Sequence, residues 1–211
     1  MIKKNLKMMI VTSFIILLPI IFGLIIWNRL PVEIPIHWNA QGEIDGYTGK
    51  AGAVFIMPAF LVALHWICML VTGLDPKSKA IDGKPLAMVL WICPVLSLVL
   101  GSIIYTAALG HSVDVKFIMP LVFGAMFVII GNYMPKCKQN YSLGIKLPWT
   151  LNDEENWNKT HRFAGFLWVA GGIVILATSF LGSFVIFMGI TFLMVIVPTV
   201  YSYRIYKKKS K

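Results

Sequence analysis

Apolar residues fall into six blocks, at about 8–28, 52–73, 86–109, 117–133, 163–181 and 183–203, and no Asp, Glu, Lys or Arg interrupts any of them. A helix needs roughly 20 such residues to cross a hydrocarbon core about 30 Å thick. The pattern therefore predicts an all-α polytopic membrane protein with six transmembrane helices. The first block is longer than the roughly 7–15 apolar residues of a signal-peptide core, and no small-residue cleavage site follows it, so it reads as a retained helix. Only Leu181-Gly182-Ser183 separates the last two blocks, which calls for a tight hairpin. Pro120 falls in a first helical turn, where its missing N–H costs little. Pro19, Pro58, Pro94 and Pro198 lie deeper and should kink their helices, which can open a cavity. The fifth block carries Gly171-Gly172 instead, allowing close backbone approach.

Charge adds an orientation. Of 211 residues, 58% are hydrophobic and 13% are charged, against about 25% charged in a soluble domain. The net charge of +10 is spread over loops and tails, not gathered on one face, so it argues for topology and against direct nucleic-acid binding. With the N-terminus inside, 16 of the 19 Lys and Arg residues fall on the inner side, Lys79 and Lys211 among them, and only Arg29, Lys50 and Lys116 fall outside. That asymmetry places both termini in the cytoplasm. Trp27 and Tyr47 then sit at the outer interface, and Tyr133, Trp157, Tyr201 and Tyr203 at the inner one. Cys68 and Cys93 read as buried small hydrophobes and Cys137 as a loop thiol, with no disulfide expected.

Three places could carry chemistry. His65 shares a helical face with Cys68, but two ligands do not make a metal site, so a hydrogen-bonded interior histidine is the plainer reading. The outer loop LPVEIPIHWNAQGEIDGY, Leu30 to Tyr47, has prolines that enforce extended backbone and turn signals at Asn39–Gly42 and Asp45-Gly46. It is expected to be ordered, as a docking face or lid that presents Glu33, His37, Trp38, Asn39, Asp45 and Tyr47. A carboxylate–histidine cluster there could act on protons or hold a metal, yet the loop has no second histidine. The inner loop, 134–162, is turn-rich up to Pro148. A helix then starts at an Asn152 cap with Asp153, Glu154 and Glu155 at its positive end. Trp157, His161 and Gly165 recur every fourth residue on one face, and Glu155 can pair with Lys159. Two readings stay open: an interfacial helix snorkelling Lys159 and Arg162 to the headgroups, or a protein-docking surface built on Trp149, Trp157 and His161. No nucleophile is paired with a base and no metal set is complete, so neither catalytic residues nor cofactors are expected.

These two loops resemble the hallmarks of the SdpI family of bacterial immunity membrane proteins, which act against a sporulation-delaying toxin. The outer loop is similar to the pattern LPxxIPxHWxxxGxxDGY of an associated N-terminal domain of unknown function. The inner stretch resembles the family signature at Gly131-Asn132, Asn140, Gly144-Ile145, Pro148-Trp149-Thr150-Leu151, Trp157 and His161-Arg162. Lys146-Leu147 stands where the family pattern has Arg-Thr, which keeps a charge but loses a planar fork of donors. The resemblance divides the chain into a helix pair with its outer loop, 1–73, and a four-helix region, 74–211. It implies a non-enzymatic immunity or signal-transducing protein. Its outer loop would meet a peptide toxin. Its inner loop, through Asn132, Asn140, Gly144, Lys146, Pro148, Trp149, Thr150, Trp157, His161 and Arg162, would hold a cytoplasmic transcriptional repressor. A small-molecule or lipid permease is the alternative, and a membrane enzyme using His37 or His161 a more distant one.

Overall fold

A computed structural model describes residues 2–78, 81 and 83–209; Lys79 and Lys211, both assigned above to the inner side, lie outside the described residues. The helices are α1 (Ile2–Ile25), α2 (Met57–Leu74), α3 (Lys84–Ala108), α4 (Val115–Tyr133), the single turn α5 (Pro148–Leu151), α6 (Glu154–Thr178) and α7 (Phe184–Lys209). Six of them are long and apolar enough to cross a membrane. To this all-α frame the structure adds a two-stranded antiparallel hairpin, β1 (Glu33–Trp38) and β2 (Ile44–Gly49), inside the loop after α1. The chain forms two compact units, one of residues 1–71 and 87–115, the other of residues 72–86 and 116–211. Most of α3 thus packs with the hairpin helices, whereas a division at residue 73 would group it with the later ones.

In the first unit, α1 and α3 meet along a polar-edged seam. Ser97 and Tyr105 donate to the carbonyls of Ile16 and Pro19 at 2.7 and 2.8 Å. Gly101 lies between them, and a Cβ there would stand 3.0 Å from the Pro19 ring. Gly101 thus leaves room for the Pro19 ring at this crossing. Beside the seam lies an apolar crevice of about 320 Å³ bordered by Leu18, Phe22, Leu98 and Ser102. His65 is 2% exposed and bonds Thr12 Oγ1 at 2.9 Å, as an interior histidine should. Cys93 is buried, but Cys68 is exposed on its helix, contrary to the expectation for it. At Pro58 the disturbance takes the form of a π-helical turn over Gly52–Ile56. Widening the preceding turn accommodates a ring that would otherwise strike the carbonyl four residues back.

In the second unit, α4 and α6 run antiparallel with glycines facing glycines. Each of the pairs Gly124/Gly172 and Gly131/Gly165 places one backbone carbonyl 2.7–3.1 Å from where the other's Cβ would be. On both helices the two glycines stand seven residues apart, so the close backbone approach extends over one heptad. Between α6 and α7 the chain turns through Ser179–Leu181 and a left-handed Gly182, φ +55°, as the short break requires.

Candidate functional site

The hairpin owes its shape to three local features. Pro35 has no N–H, so its pairing with Tyr47 must be a non-hydrogen-bonded position with the ring nitrogen turned away from β2. The register slips on either side of His37, which leaves one extra residue in each strand. Asn39 builds the turn: its Oδ1 accepts from Gln41 N and Glu43 N, its N–H reaches Glu43 O at 2.9 Å, and Gly42 takes φ +81°. Asp45-Gly46, read above as a second turn, lies instead within β2. Gly46 is required there because a Cβ would stand 2.8 Å from that of His37.

Burial then sorts the predicted outer residues. Ile34 is wholly buried in a cluster with Ile26, Leu30, Val54, Ile104 and Tyr105, and Trp38 packs against the same cluster. Trp38 and Asn39 are therefore bracing residues, half-buried, and not free surface. Glu33, His37, Asp45 and Tyr47 remain exposed. His37 Nδ1 and Asp45 Oδ1 stand 2.5 Å apart, with the side chains 69% and 44% exposed. The carboxylate holds the imidazole proton on Nδ1 and leaves Nε2 presented outward.

The long loop between α4 and α6 is fastened by buried polar side chains. Asp75, just past α2 and 5% exposed, accepts from Lys77 N at 2.7 Å, Tyr141 N at 2.8 Å and Ser142 Oγ at 2.7 Å. Burial pushes its carboxyl pKa up, but these three donors outweigh burial and hold it below the usual value. Asn140 caps the next bend, taking Ser142 N and Leu143 N on Oδ1. Gln139 ties the loop to α5 by donating to the carbonyls of Thr150 and Leu151. Thr150 closes that turn through Leu147 N and Ile145 O.

Trp157 and His161 lie under this loop. They are 0% and 1% exposed, with rings stacked at a 4.0 Å centroid distance. Trp157 donates to Cys137 O at 2.8 Å. His161 Nδ1 donates to Trp157 O at 2.8 Å and Nε2 accepts from Ile145 N at 2.9 Å, which fixes a neutral tautomer. Gly144, at φ +112°, makes room, since a Cβ there would overlap His161 Nε2. These contacts correct the sequence reading. Trp157, His161, Asn140 and Thr150 are buried and hold the loop in place, so none offers itself as a surface anchor, and Trp157 does not reach the headgroups. Trp149 is half-buried too: it donates to Ser202 Oγ at 2.9 Å, stacks on Tyr206 and meets Tyr203 edge-on, both on α7. Asn132, Lys146, Pro148 and Arg162 stay exposed.

The α6 cap falls one residue later than expected. Asp153 Oδ1 accepts from Glu155 N and Asn156 N, while Asn152 ends α5. Lys159 pairs with Glu155 at 2.6 Å as spaced. Lys209 at the end of α7 also reaches Glu155 and Asp153, each at 2.7 Å. The Lys209 ammonium draws the Asp153 carboxyl pKa down, helped by the helix N–H groups against the opposing effect of burial. Asn156 and Ser202, both fully buried, join α6 to α7 through Asn156 Nδ2 and Ser202 O at 3.1 Å. Asp75, Gln139, Asn156 and Ser202 were not singled out from sequence. Only Asp75 left a signal there, as one of two acids in a connection that also carries three lysines. Among the described residues no cluster of three His, Cys, Asp or Glu side chains could hold a metal ion.

A family model described as the SdpI/YfhL protein family matches residues 136–202, the loop together with α6 and most of α7. A second, described as a domain of unknown function (DUF1648), matches residues 14–62, which take in the hairpin. The Immunity protein SdpI of Bacillus subtilis (strain 168) is 30% identical over 213 positions, covering 98% of this chain and 97% of that protein. No solved structure matches the chain.

Proposed function

Because this chain belongs to the SdpI family and is a multi-pass protein of the cytoplasmic membrane, we propose that it protects the cell that makes it against a membrane-active peptide toxin. The observation that carries this is end-to-end similarity to an immunity protein: the alignment leaves out neither the hairpin nor the long loop. The hairpin is the toxin-facing element, on the outer side of the membrane. Its exposed set of Glu33, His37, Asp45 and Tyr47 combines acid, imidazole and aromatic groups on a strand pair rooted by Ile34. The long loop lies on the cytoplasmic side with both chain termini. Lys136, Lys138, Lys146, Pro148 and Asn132 form its exposed rim, a basic surface suited to an acidic patch on a transcriptional repressor.

Expression in a toxin-sensitive bacterium tests the first part. The wild type should raise survival. His37→Ala with Asp45→Asn should lower it while the amount of protein in the membrane is unchanged. Survival untouched by that double change, and by Tyr47→Ala as well, removes the hairpin face from the mechanism. Co-sedimentation of a repressor with membranes tests the second part: Lys136→Glu with Lys146→Glu should abolish capture and spare survival. The crevice beside the α1–α3 seam favours a second reading, handling of a small apolar molecule or lipid. Toxin-independent uptake or flipping of such a molecule by reconstituted protein would select it.

A further inference from the structure

An open groove of about 800 Å³ runs along α6 and the end of α7, bordered by Glu154, Asn158, Arg162, Phe163, Phe166 and Tyr201. Its charges do not cancel internally. Lys159 and Glu155 also border it, but they are paired with each other, and Glu155 shares Lys209 with Asp153. Among the described residues, the side chains of Glu154 and Arg162 have no such partner. One acid and one guanidinium are left open toward the same space.

Their order along the helix matters. Glu154 opens α6, Asn158 follows a turn later, Arg162 a turn after that, and Phe166 one turn further, 74% exposed. Phe163 and Tyr201 form a tilted ring pair at 4.5 Å beside them. Eight residues of helix between Glu154 and Arg162 span about 12 Å, but long helical side chains lean toward the N-terminus, so the guanidinium reaches back toward Asn158. Going into the apolar span, the groove therefore offers an anion, an amide, a cation fork and then aromatic rings. A phospholipid with a primary amine presents the complementary series of ammonium, phosphodiester and acyl chain. Arg recognises phosphate through paired N–H donors. An acidic headgroup lacking nitrogen would bring nothing cationic to Glu154.

We propose that this groove binds one amino-phospholipid, with its phosphodiester on Arg162, its ammonium at Glu154 and its chains along Phe163, Phe166 and Tyr201. The site is independent of toxin and repressor and takes Arg162 out of the partner-facing rim.

Native mass spectrometry of the purified full chain, equilibrated with equal amounts of phosphatidylethanolamine and phosphatidylglycerol, reads this directly. The wild type should retain one phosphatidylethanolamine in preference by about tenfold, the scale of one hydrogen bond between charged groups. Arg162→Gln should lose retention of both lipids. Glu154→Gln should keep phospholipid bound but lose the preference for the amine. Arg162→Lys should recover part of the retention, which separates a missing charge from a misfolded helix. Lys208→Ala, a cation at the same end of α7 but outside the groove, should behave as wild type. Equal retention of both lipids with no effect of Glu154→Gln would overturn the proposal in favour of plain electrostatic attraction. Absence of any retained lipid in the wild type would overturn it outright.

Discussion

Asp75 joins two stretches of chain 66 positions apart, and three donors depend on it. Asp75→Ala would leave Lys77 N, Tyr141 N and Ser142 Oγ without that acceptor, at a cost of about 2–3 kcal/mol in loop docking. Hydrogen exchange at the Tyr141 amide should report it. The pH dependence follows from the direction of its shift. The folded pKa lies below the unfolded one, so the stabilisation is complete above the ordinary carboxylate value of about 4 and fades as pH falls through the depressed folded value. Protection of the Tyr141 amide should hold through mildly acidic pH and fail only in stronger acid, and Asp75→Asn should flatten that response. Gly144→Ala is the complementary change: with φ at +112° and His161 Nε2 in the way, it should cost more than about 1 kcal/mol and expose the Ile145 amide to exchange. The sequence shows that Trp157 and His161 share a face, because a four-residue repeat says so. It does not show that the face is covered, because the covering chain is an irregular loop with no period of its own.

At the scale of elements, the six helices are legible because lipid demands long uncharged runs. The hairpin is not, because one proline, two glycines and two bulges within its strands erase the alternation by which a strand is recognised. Its deepest anchor in the apolar cluster is nonetheless Ile34, wholly buried. Ile34→Ala should loosen it by about 2–4 kcal/mol, seen as new protease cleavage between residues 33 and 49 with α1 and α2 intact. The α4–α6 seam makes a sharper prediction. Gly131→Leu or Gly165→Leu must push two backbones apart and should lower the thermal midpoint in detergent by several degrees or prevent folding. Gly189→Ala on α7, where a Cβ meets nothing within 4 Å, should be neutral or slightly stabilising. The heptad spacing of these glycines is visible in the sequence. Which helix they face is not, since a lipid-facing and a helix-facing stripe can look alike.

For the whole molecule, the charge asymmetry gives the strongest handle. In a background lacking the native cysteines, single cysteines at Gly42 and Ser112 should react with an impermeant thiol reagent in intact cells. Those at Ser78 and Asn152 should react only after the membrane is opened. Reversed labelling would turn the proposed faces over together. The candidate site was only half legible. Which loops matter follows from their length and punctuation, but which of their residues are surface does not. Asn140, Thr150, Trp157 and His161 stand out in the sequence for their chemistry, and the fold spends that chemistry on holding its own loop.

The glycine seam also restricts how a toxin on one side of the bilayer could make itself felt on the other. Gly124 faces Gly172 and Gly131 faces Gly165, so the register is in phase at both points. A stroke of one helical turn, about 5.4 Å, would carry Val128 or Pro120 into the gap that Gly124 now fills against Gly172. The two helices are geared against sliding. Small rolling or scissoring about the glycine contacts meets no such stop, so a message passing through α4 and α6 would travel as a change of angle and not as a piston.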